Sequence, residues 1–135
     1  MNLEDVADEI STALKTIDGL RVPPWGVEKI SPPAALILLP ERIEYDGTYQ
    51  RGTDKYPDVE VVVLVANPAQ PAARRAVAKY ADGSGPQSVK AAIEAHEYTS
   101  CDVVHVAWAE FADAKYAGTD YLAAIFHLVI SGKGA

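Results

Sequence analysis

Cysteine is almost absent from this chain: Cys101 is the only one in 135 residues. No intrachain disulfide can form and no thiolate cluster can hold a structural zinc, so packing must supply the stability. Basic charge is also short. Twelve Lys and Arg stand against 19 Asp and Glu, a formal net charge of -7 and a pI near 4.8, which excludes a surface built to neutralise nucleic-acid phosphates or anionic lipid. Long apolar runs are missing as well. The longest, 34–39, 61–66 and 122–130 (interrupted by His127), fall well short of the roughly 20 residues of a bilayer-spanning helix. The amino terminus, with Glu4, Asp5, Asp8 and Glu9, has neither the basic flank nor the apolar stretch of a secretory signal, so a soluble protein is expected. Familiar catalytic signatures are missing too: there is no G-x-S-x-G, H-E-x-x-H, G-x-G-x-x-G or G-x-x-x-x-G-K-[ST].

What is present is ordinary globular material. With 49% hydrophobic and 23% charged residues, the chain should form one domain spanning 1–135 around one core. Leu3, Val6, Ala7, Ile10, Ala13, Leu14 and Ile17 recur at helical spacing, with acids in the first turns, and predict a helix closing at Asp18-Gly19. Pro23, Pro24, Pro32 and Pro33 mark an irregular connection anchored by Trp25. A strand is expected at 34–39, then a polar, Tyr- and Gly-rich arm at about 41–57 with too little apolar surface for a core hairpin, then a strand at 59–66. Ala72, Ala73, Ala76, Val77 and Tyr80 predict a second helix, and Ser84 with Gln87 reads as a capping box opening a short third one. Residues 101–109 and 121–130 alternate as strands, joined across the polar segment 110–120. The order α-β-β-α-α-β-β implies an α+β fold, a mostly antiparallel sheet with helices packed on it and a protruding hairpin-like arm.

Candidate chemistry is sparse. Gly83-Ser84-Gly85-Pro86 resembles a phosphate loop only loosely: Pro86 lacks an amide donor and Lys90 is misplaced, so a helix cap is the better reading. Pairing centred near Tyr116 would set His105 and His127 side by side on one face, but a metal needs a third ligand and Cys101 lies too far along the strand. They read as buried or interfacial histidines. Nothing near Cys101 lowers its pKa for nucleophilic work. Glu44, Asp46 and Asp54 are interleaved with Arg42, Arg51 and Lys55, a charge-balanced solvated arm. No catalytic, metal or cofactor-binding residue is assigned, and no enzyme is expected. The positive signal is that three strands are apolar on both faces: Leu36 and Leu38 opposite Ile37 and Leu39, Val62 and Leu64 opposite Val61, Val63 and Val65, and Ile125 and Val129 opposite Leu122, Phe126, Leu128 and Ile130. Either the helices divide between the faces or one face is buried against another copy, and self-association is the favoured reading.

Several stretches carry a family likeness. Ile17-Asp18-Gly19-Leu20-Arg21-Val22 after an acidic helix, Ile30-Ser31-Pro32-Pro33-Ala34-Ala35, Tyr45-Asp46-Gly47-Thr48-Tyr49-Gln50-Arg51-Gly52-Thr53-Asp54, the Gly83–Glu94 segment and the two last strands together resemble the tail terminator proteins of long-tailed phages of actinobacteria, over nearly the whole chain. The resemblance implies a homohexameric ring in the neck region of the virion tail. Such a ring sits on the major tail tube protein, stops tube polymerisation and meets the head-side stopper or connector, while DNA passes its lumen without specific binding. An acidic ring would let that DNA slide. The resemblance gives Arg42, Tyr45, Asp46, Tyr49, Arg51 and Asp54 a role as arm contacts to a neighbouring subunit or the tube. Val62, Leu64, His105, Ile125 and His127 are candidates for the apolar interface. The competing expectations are a head-completion or stopper protein of the neck and, from another class, a small ligand-binding domain using His105, His127 and Cys101.

Overall fold

A computed structural model describes residues 1–23, 31–45 and 52–134. The elements run α1 (Leu3–Leu14), β1 (Ala34–Ile37), β2 (Thr53–Ala66), α2 (Pro71–Ala81), α3 (Val89–Ala95), β3 (Val103–Tyr116) and β4 (Thr119–Lys133). The fold is α+β, a four-stranded antiparallel sheet in the order β1-β2-β4-β3. Asn2 caps α1 by accepting from the Asp5 amide at 3.0 Å. The helix ends a turn before Gly19, because Thr16 and Ile17 donate to the carbonyls three residues back and tighten the chain. Gly19 still closes the turn at φ 80°.

All three helices lie on one face. Val6, Ile10 and Leu14 of α1, Ala73, Val77 and Tyr80 of α2 and Val89 and Ile93 of α3 share one buried cluster with Tyr56, Val59, Val61, Val63, Phe126, Leu128 and Ile130. Among the described residues no helix covers the other face, so the helices do not divide between the two.

Four expectations are corrected. The third helix is capped by Ser88, whose Oγ accepts from the Ala91 amide at 3.0 Å, not by Ser84. Residues 53–57 belong to β2, because β4 runs on to Lys133 and supplies their partner: Thr53 pairs with Lys133 and Tyr56 with Ile130. Tyr56 is therefore core, at 1% exposure. The segment 110–120 is not a polar connector but the continuation of a hairpin, closed by Ala117 and Gly118 at φ 50° and 81°, the two left-handed residues of a tight type I′ turn. Beyond Val106, β3 has no buried residue, so among the described residues the β3–β4 hairpin forms an exposed ribbon. The first strand, expected to reach residue 39, ends at Ile37.

Candidate functional site: the outer face of the sheet

Register sets the face opposite the helices out in rows. Ala34, Leu64, Ala123 and Ala112 form one; Leu36, Val62, Ile125 and Glu110 the next; Glu60, His127 and Trp108 the third. The first two rows are mainly apolar; Ala34, Leu64 and Ala123 of the first are buried at 0–1% exposure, whereas Leu36, Val62 and Ile125 of the second keep part of their surface in solvent. Farther along, Val103 is 54% exposed, as is Trp108. The expectation of a second apolar face holds for these rows, but the third is polar.

Two bulges build that third row. In β2 the ladder skips between Tyr56 and Val59, and in β3 between Val106 and Trp108. Pro57, which has no amide to donate, sits in the first bulge. An extra residue shifts the alternation, so Tyr56 and Val59 both face the core while Asp58 and Glu60 share the outer face; the second bulge sets Trp108 directly opposite His127. His127 is thus hemmed in on every side. Its Nδ1 lies 2.7 Å from Asp58 Oδ1 and 3.8 Å from Glu60 Oε1, and its Nε2 lies 2.7 Å from Glu110 Oε2. The Trp108 indole stacks on the ring at 3.7 Å and 4°. Carboxylates only accept, so in the free protein the ring that serves Asp58 and Glu110 together carries a proton on both nitrogens. Burial opposes that charge, but the hydrogen bonds to Asp58 and Glu110 and the nearby Glu60 outweigh it and raise the pKa above its ordinary 6.5.

The remaining sequence candidates are scattered. His105 shares the face with His127 but pairs with Val129, and its Nδ1 meets Glu94 Oε2 at 3.3 Å. The two histidines are therefore not side by side, because the hairpin turns at Ala117–Gly118 rather than at Tyr116 and leaves His105 two residues out of register with His127. Glu94 also accepts from the Val106 amide at 2.9 Å and pairs with Lys90, and these partners hold its carboxyl below the ordinary value against the opposing effect of burial. That contact covers one backbone donor on the β3 edge. Cys101 is buried in the core, and burial with the Glu9 charge pushes its thiol up to about 11. Of the arm, Arg42 pairs with Glu44 at 3.0 Å and Tyr45 is 73% exposed. Asp54 is instead engaged within the chain, 8% exposed with Oδ2 3.4 Å from the Met1 ammonium. Leu64 is buried at 1%. Trp25, Asp46, Tyr49 and Arg51 lie outside the described residues. A depression of about 480 Å³ beside the 84–87 loop brings Asp18 and Asp82 together with Lys79, a lining too acidic for a phosphate cradle.

Sequence reasoning found His127 but missed Asp58, Glu60, Glu110 and Trp108 around it. The alternation of Asp58 and Glu60 was visible; that His127 falls opposite them was not, since it depends on the register between β2 and β4. No protein-family model matches the chain, and a search of curated proteins returns no match.

Proposed function

We propose that the protein is a structural subunit that closes into a homo-oligomeric ring, six-membered by its family resemblance, and caps the tail tube of a long-tailed phage, ending tube polymerisation and joining the tail to the head-side connector around a DNA channel. The carrying observation is the partly open outer face: beyond the buried row of Ala34, Leu64 and Ala123, the sheet keeps Leu36, Val62, Ile125, Val103 and Trp108 partly or largely in solvent, with no helix over them among the described residues. A monomer gains nothing from leaving such a face open, whereas a ring covers it with a neighbour. The exposed β3–β4 hairpin adds a second flank, since β3 is an edge strand. Arg42 and Tyr45, both solvent-exposed, remain contacts to the neighbour or the tube in this reading.

The test is solution mass by light scattering over a concentration series at two salt levels, alone and with purified tail-tube protein. A ring-sized species, or a monomer that becomes one on adding tube protein, is expected. Val103→Asp, at a side chain too exposed to disturb the core, should weaken that association. A stable monomer indifferent to the tube protein refutes the proposal, and binding to the head-side connector alone would make the protein a stopper.

A further inference from the structure

We propose that Asp58, Glu60 and His127 form a site for a divalent transition-metal ion of the zinc class, bound through the two carboxylates and Nδ1 of the imidazole. The proposal rests on the cluster alone and is independent of ring assembly. Its first support is convergence: one ligand atom from each of the three residues lies within 4.8 Å of the others. Tetrahedral ligands at zinc distances stand about 3.3 Å apart. Asp58 and Glu60, at 39% and 40% side-chain exposure, are free to make the small rotations that close the gap.

The second support lies on the far side of the ring. A metal-bound histidine usually gives its other N–H to a carboxylate, which fixes the tautomer and aims the lone pair at the ion. Glu110 stands there, 2.7 Å from Nε2. With that proton held by Glu110, Nδ1 is the nitrogen left to turn towards Asp58 and Glu60. Trp108, stacked flat on the ring, locks its plane. Glu110 and Trp108 are thus positioning residues. The third support is charge. Three carboxylates surround one imidazole whose side chain is only 7% exposed, so even a protonated ring leaves negative charge in excess, which a divalent cation offsets. One imidazole and two carboxylates suit zinc, cobalt or manganese better than calcium or magnesium, which prefer all-oxygen shells. Binding releases the Nδ1 proton to solvent and leaves a fourth position for water.

The full-length chain, stripped with EDTA and desalted, is titrated with zinc chloride by calorimetry and with cobalt chloride by visible absorption. One ion per chain is expected. Asp58→Asn and Glu60→Gln, both at half-exposed positions that leave the core intact, should each weaken binding by about tenfold or more, and Glu110→Gln by about tenfold. In a Trp25→Phe background, cobalt should quench the fluorescence of Trp108, and the quenching should saturate with the calorimetric titration. Absence of saturable binding overturns the proposal. So does binding that survives both Asp58→Asn and Glu60→Gln, which would place the ion elsewhere.

Discussion

Glu9 ties the first helix to the loop that leads into β3, and its loss should be felt as acid-sensitive stability. Oε1 accepts from the amides of Thr99 at 3.0 Å and Ser100 at 2.6 Å and from the Thr99 hydroxyl at 3.1 Å, while Oε2 meets His96 Nε2 at 3.0 Å. Burial alone would raise the carboxyl pKa, but the donors from Ser100, His96 and Thr99 overcome it and lower the value from 4.5 to about 2. A depression of that size corresponds to about 3 kcal/mol. The side chain is 19% exposed, and solvent screening reduces the expected contribution to about 2 kcal/mol. Because the folded value lies below the unfolded one, the stabilisation is complete above pH 4.5 and is lost as the pH falls through about 2. Urea unfolding of the wild type and Glu9→Gln, followed by circular dichroism at pH 7, 4 and 3, reads this directly. The gap should be about 2 kcal/mol at pH 7 and less than half of that at pH 3. An equal gap at pH 7 and pH 3, or one below about 0.5 kcal/mol at pH 7, would refute the account of Glu9 as an ionised tie.

Three further outcomes are expected. Ser88→Ala should destabilise by about 1 kcal/mol or more, because Oγ both caps α3 and donates to the Asp82 carbonyl, whereas Ser84→Ala should be nearly neutral; thermal melts of the two variants decide between the caps. Ala117→Asn should stabilise by about 0.5–1 kcal/mol, since Ala117 holds φ 50° in a turn that favours Asn before Gly, and an unchanged or lower denaturant midpoint would count against that turn geometry. The thiol of Cys101, buried and with its pKa near 11, should react with an aromatic disulfide reagent at pH 8 only on unfolding; prompt labelling of the native protein would contradict its placement in the core.

The fold was readable because its signals are local. The spacing of Val6, Ile10 and Leu14 buries one face of α1, and Ala73, Val77 and Tyr80 do the same for α2, as their periodicity requires. The element order and the antiparallel class follow from the same patterns. Misreadings cluster where a partner far along the chain decides. Tyr56 and Asp54 look like solvated arm until β4 pairs with them. Ser84 with Gln87 is as good a cap in sequence as Ser88, and only the Ser88 contact to Asp82 and the packing of Val89 choose between them.

The sequence by itself determined the absence of an intrachain disulfide, the helices, the strands and the presence of a second apolar face, because composition and periodicity report burial directly. Tertiary structure alone decided that α1, α2 and α3 share one side, that the β3–β4 hairpin is an exposed ribbon, and that Asp58, Glu60, Glu110 and Trp108 converge on His127. These depend on register and on two bulges. Both are set by pairing between segments up to 80 residues apart, as between Thr53 and Lys133, and a one-residue slip would send every side chain of a strand to the opposite face.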